Sequence, residues 1–227
     1  MEDILFMISV WVVPVLIAIT FHEAAHGYVA WKLGDDTAFR LGRVTFNPFK
    51  HIDPVGTVML PAMLLLASGG KIMFGAAKPV PVNTNKLNSP RRDMVLVAAA
   101  GPGINIIIAI ICAASAHVLV YLPGDFGIWL AHNIYNAVWI NVLLAVFNML
   151  PIPPLDGGRV AVGLLPRPFA IKLAGIERYG FFIILGAIFL LPLLGEQIGY
   201  DLNVFWWLIG APSEYIMRMI FNLTGIA

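Results

Sequence analysis

Residues 4–20, ILFMISVWVVPVLIAIT, hold no charged side chain, and the run continues into FHEAAHGYVAW, where His22, Glu23 and His26 stand among apolar neighbours. A stretch this long and this apolar reads as a membrane helix. No other fold of an open chain satisfies its own backbone hydrogen bonds in hydrocarbon. Composition extends the argument to the rest of the chain. Of its 227 residues 59% are hydrophobic and 12% charged, against roughly 25% charged in a soluble domain. The chain is therefore expected to be an all-α polytopic membrane protein, with residues 1–227 forming a single membrane-embedded domain. A net charge of +1 gives no basis for nucleic-acid binding. The lone Cys112 excludes an intrachain disulfide and a zinc site built on paired thiolates. Acidic Glu2 and Asp3 ahead of an overlong apolar run argue against a cleavable signal peptide, so the first helix is expected to be retained.

Hydropathy divides the chain into long apolar runs at residues 4–33, 93–122, 128–150, 179–194 and, interrupted by Pro212, Glu214 and Arg218, 203–223. Five to six transmembrane helices are predicted. Residues 55–67 are too short to cross and read as a re-entrant or hairpin segment within 55–85. The loops on both sides of that segment are basic (Lys32, Arg40, Arg43 and Lys50 before it, Lys71, Lys78, Lys86, Arg91 and Arg92 after it). The positive-inside rule places both in the cytoplasm. Residues 123–127 and 195–202 lack Lys and Arg, whereas 159–178 carry Arg159, Arg167, Lys172 and Arg178. The rule then gives an outside N-terminus and a cytoplasmic C-terminus.

Residues four apart share a helix face, so His22 and His26 can present both imidazoles to one ion. Glu23 projects to one side of the pair, where it reaches a water rather than the metal. This is the arrangement in which the glutamate is general base of a zinc peptidase. Chance, or two histidines bonded across a helix bundle, would explain the pattern in a soluble protein. In a bilayer each group costs about 2.5 kcal/mol or more when charged near the centre, so ionisable residues there are functional by default.

A catalytic zinc takes three protein ligands and keeps one position open. NMLPIPPLDGGR, residues 148–159, offers the third in Asp156. Its prolines and glycines forbid regular helix, and irregular backbone at membrane depth occurs where it is buried in protein or lines a wet cavity. His22 lies about 27 Å along the first helix, toward the cytoplasmic side of a core about 30 Å thick. Asp156 emerges on the same side. The plainer reading of Asp156 is a turn-forming Asp-Gly at a membrane exit.

These residues resemble the site-2 proteases, zinc metalloproteases that cut within the membrane. The resemblance rests on His22-Glu23-x-x-His26, on NMLPIPPLDGG matching N-x-x-P-x-P-x-L-D-G from Asn148, and on GPGIN, HIDPVGT and AKPVPVN, in the family's order. It implies that His22, His26 and Asp156 bind one zinc ion, that Glu23 activates the water, and that Asn148 contacts the substrate backbone or helps stabilise the oxyanion. It implies too that Lys78, Pro79, Val80 and Pro81 lie near the substrate's path. Asn105 and Asn141 read as plain interhelical hydrogen bonds, Gly101 and Gly103 as close packing. His51 reads as a structural tie for the re-entrant turn, His117 and His132 as polar anchors. Ala76 stands where close relatives carry an aromatic residue. No insertion is long enough for a PDZ domain, so this compact form selects substrates through its membrane core or through a regulatory or adaptor protein.

The expected function is zinc-dependent hydrolysis of a peptide bond in transmembrane substrates, near the cytoplasmic face of the cell (inner) membrane. The rival class is a divalent-metal transporter using the same His and Asp set, since transporters also place broken helices around ions at depth. A non-catalytic scaffold is the third reading, and the intact His-Glu-His and Asp set argues against it.

Overall fold

The computed structural model describes residues 2–59, 63, 66 and 77–226. All regular structure among them is helical. Helix α1 (Glu2–Lys32) contains Pro14 without a break. A one-turn helix α2 (Thr37–Arg40) follows, then a 3-10 turn (Pro48–Lys50) and a π-helical segment (Pro54–Met59). After these come α3 (Pro90–Ser115), α4 (Asp125–Asn148), α5 (Asp156–Leu164), α6 (Arg167–Ala174), α7 (Glu177–Leu185), α8 (Leu191–Ile198) and α9 (Ala211–Thr224).

Among the described residues, four helical stretches are long and apolar enough to cross a bilayer: Ile4–Lys32, Pro90–Tyr121, Asp125–Asn148 and Glu177–Ile198. They coincide with the first four runs expected from hydropathy. The last run also folds as helix, entering α9 through a π turn at Trp206–Gly210. On α9, Glu214 and Arg218 lie one turn apart and pair at 3.4 Å. Most of the expected re-entrant segment 55–67 lies outside the described residues, as do Lys71 and Ala76.

Helices α1, α3 and α4 pack on one another. Ala109 and Ala113 of α3, Val138 and Val142 of α4, and Met217 and Ile220 of α9 form a buried cluster. Small residues at the contacts allow the close helix approach that membrane interiors favour. The first half of α1 leaves Ile4, Leu5, Met7, Ile8, Val12 and Val13 exposed, the apolar surface a lipid-facing helix presents.

From α2 onward the chain runs back along α1. Phe39 stacks on Trp31 at 4.3 Å and Phe46 on Phe21 at 4.4 Å. Those partners are ten positions apart on α1, about 15 Å at 1.5 Å per residue. A later extended segment, residues 77–83, lies in the same region, with Val80 and Val44 both against Gly27. It is tied down at both ends. The Lys78 N–H donates to His51 O (2.9 Å) and its carbonyl accepts from Arg43 Nη2 (2.7 Å). At the other end the Asn83 N–H donates to Asp35 Oδ2 (2.6 Å). Asp36 beside it pairs with Lys86 at 2.9 Å and with Arg40. Lys86 first, then Arg40, holds the Asp36 carboxyl below the usual carboxylate range.

Candidate metal centre

Helix α1 stacks His22 and His26 one turn apart, with ring centroids 4.7 Å from each other and planes at 84°. The facing ligand comes from the far end of the chain. Helix α4 stops at Asn148, Pro151, Pro153 and Pro154 keep the next residues irregular, and α5 restarts with Asp156 as its first residue. Gly157 and Gly158 make that restart possible, because a Cβ at either would overlap the backbone of residues 149–153.

Asp156 Oδ2 lies 3.2 Å from His22 Nε2 and 3.3 Å from His26 Nε2. The three ligand atoms sit within 4.8 Å of one another, on residues that are all buried. His26 Nδ1 is 2.7 Å from Val97 O. A carbonyl only accepts, so Nδ1 carries the proton and the neutral ring turns its Nε2 lone pair toward the carboxylate. His22 is arranged alike, with Nδ1 2.5 Å from Asn105 Oδ1. Lone pairs converging on one buried point need a cation or a shared proton between them. A set of two imidazole nitrogens and one carboxylate oxygen, with room beside it, suits zinc with an open position.

That room is a cavity of about 880 Å³. Glu23, Asn148 and Arg159 line it together with the three candidate ligands, among apolar walls from α1, α4, α7 and the turn before α9. Glu23 Oε2 accepts a hydrogen bond from the Val80 N–H at 2.8 Å. Asn148 donates from Nδ2 to Leu144 O (3.0 Å) on its own helix. Of the extended segment, Pro79 and Val80 face the cavity, while Lys78 and Pro81 do not; Ala77 and Val82 join the lining.

His51 ties its segment together, with Nε2 3.0 Å from Thr45 O. His117 Nε2 lies 2.7 Å from Thr224 O, and His132 meets the Phe6 ring edge-on at 5.4 Å. Three features of the site were not drawn from the sequence. Arg159, three residues after Asp156 on α5, shares its face and lines the cavity. Asn105 reaches His22. Gly101, one turn before Asn105, faces both imidazoles: a Cβ there would lie 2.6 Å from His22 Nε2 and closer still to His26 Nε2. The spacing of four in Gly101-x-x-x-Asn105 was the available signal.

The sequence profile of Peptidase family M50 matches residues 10–126 and 125–191 of the chain. A protein of Bacillus subtilis (strain 168) named “Putative zinc metalloprotease YwhC” is 38% identical over 216 residues, 92% of this chain and 89% of its own length. “Putative zinc metalloprotease Rip2” of Mycobacterium tuberculosis (strain ATCC 25618 / H37Rv) is 31% identical over 193 residues, 85% of this chain and 70% of its own. No solved structure matches the chain.

Proposed function

The chain belongs to Peptidase family M50 and is a multi-pass membrane zinc metalloprotease, and from that premise we propose that it cuts peptide bonds inside transmembrane substrates. The observation that carries this reading is the meeting of His22, His26 and Asp156 in one cavity that Glu23 also lines. Membership of a peptidase family, with relatives named as zinc metalloproteases, sets aside the transporter reading left open by the sequence.

In this proposal His22 Nε2, His26 Nε2 and an Asp156 oxygen hold the ion. Zinc, when bound, lowers the pKa of a water and polarises the scissile carbonyl. Glu23 takes a proton from the attacking water and passes it to the leaving amine nitrogen as the C–N bond breaks. The Val80 N–H fixes one Glu23 oxygen and leaves the other to face the water. Asn148 contacts the substrate backbone from the cavity wall. A helical substrate hides its carbonyls in hydrogen bonds, so the scissile segment unwinds before it enters. The basic loops support a site on the cytoplasmic side of the cell (inner) membrane. In this reading residues 1–227 act as one membrane-embedded protease domain, with access governed by the membrane core or by a regulatory or adaptor protein.

The test compares membranes from cells making the wild-type or the Glu23→Gln protein, by sequencing protein termini. New termini inside the cytoplasmic half of single-span segments, present only with the wild type, are expected. Equal termini in both samples, or termini confined to soluble loops, would overturn the proposal.

A further inference from the structure

The His22 ring is held by a chain of hydrogen bonds whose direction is fixed from its far end. Asn141 on α4 is fully buried, and its Nδ2 donates to Ala137 O at 2.8 Å. A carbonyl cannot donate, so the amide has only this orientation, with Oδ1 pointing away from Ala137. That Oδ1 accepts from Asn105 Nδ2 at 2.7 Å, and the same Nδ2 donates to Ala18 O of α1 at 3.2 Å. Both protons of Asn105 Nδ2 are thereby placed on acceptors. Asn105 Oδ1 is left to face His22 Nδ1 at 2.5 Å, and as an acceptor it requires Nδ1–H. Turning either amide over would set oxygen against oxygen at the next link. Asn105 and Asn141 are each 0% exposed, so no solvent replaces a lost partner.

Resting on the zinc reading above, we propose that Asn105 and Asn141 are positioning residues: a two-helix relay, anchored on the Ala137 carbonyl, that locks His22 in the Nδ1–H tautomer and aims its Nε2 lone pair at the metal. The relay does for His22 what the Val97 carbonyl does for His26 directly. It also links α1, α3 and α4, so a shift among those helices would release the ring. Partners of this kind behind a ligand change metal affinity by about 10- to 100-fold.

The experiment uses the full chain in detergent micelles with 15N-labelled histidine. In the metal-free wild type, at a pH where the ring is neutral, two-bond nitrogen–proton spectra are expected to show His22 protonated on Nδ1. Asn141→Leu is expected to give a mixture of tautomers and a 10- to 100-fold loss of zinc affinity in chelator competition. Asn141→Ser keeps the polarity, since a helical serine donates to the carbonyl four residues back while its oxygen accepts from Asn105. It is expected to restore the Nδ1–H form and affinity to within about threefold. An unchanged tautomer and affinity in folded Asn141→Leu would overturn the relay. So would Nε2–H at His22 in the wild type, which decides the matter even if the leucine variant fails to fold. The tautomer readout needs no metal and no cleavage. A wild type that shows it but binds no zinc through His22 would instead count against the function proposed above.

Discussion

Glu23 Oε2 accepts its 2.8 Å hydrogen bond from the backbone of Val80, the one residue between two prolines. Pro79 and Pro81 have no N–H to offer, so Val80 is the sole backbone donor between Lys78 and Val82. The pattern Lys-Pro-Val-Pro-Val thus aims one N–H at the base and removes its neighbours. Val80→Pro deletes that donor. It should lower kcat roughly ten- to hundredfold, the range for a lost hydrogen bond to a charged group, while zinc content stays unchanged. Val80→Ala keeps the N–H and should lose far less.

Gly101 and Gly103 are one helix position pair with opposite surroundings. A methyl at Gly101 collides with both imidazoles, whereas a methyl at Gly103 meets nothing within 4 Å. Gly101→Ala should abolish tight zinc binding and activity together. Gly103→Ala should stay within about 0.5 kcal/mol of wild-type stability and bind zinc normally. Chelator competition on the two purified variants makes the comparison.

Asp35 is fully buried and accepts from the Thr37 N–H (3.0 Å), the Thr37 hydroxyl (2.5 Å) and the Asn83 N–H (2.6 Å). It fastens the end of the segment that carries Val80. Asp35→Ala leaves those donors unpaired, at about 1–3 kcal/mol for each buried one. The segment at residues 77–83 should then become sensitive to limited proteolysis, and KM should rise more than zinc affinity falls.

Zinc binding to the folded chain alone should raise its stability by mass action. At a free concentration 100 times Kd the gain is about 2.7 kcal/mol. Thermal unfolding in detergent should therefore shift upward with zinc and downward with chelator for the wild type. His26→Ala should show neither shift.

Much of this site was legible in the chain, because helical spacing alone pairs His22 with His26 and sets Glu23 aside. Asp156 was legible for another reason: irregular backbone at membrane depth is buried in protein or lines a cavity, a signal that left a plain Asp-Gly turn as the alternative. The side-chain relay was half legible. Asn105 and Asn141 do make the interhelical bond expected of them, but that the bond ends on His22 depends on the rotation of α3 against α1, which periodicity does not fix. The Val80 contact is a backbone donor, and residue identity signals it only through the prolines on either side. The fifth apolar run folds as helix, and its Met217 and Ile220 pack against α3 and α4.

X-ray absorption at the zinc edge of the purified Glu23→Gln protein addresses the central claim directly. One zinc per chain is predicted, with two imidazole nitrogens at about 2.0–2.1 Å and carboxylate oxygen at about 2.0–2.2 Å, and with one imidazole fewer in His22→Ala. A shell containing sulfur at about 2.3 Å, or a shell unchanged by His22→Ala, would contradict it.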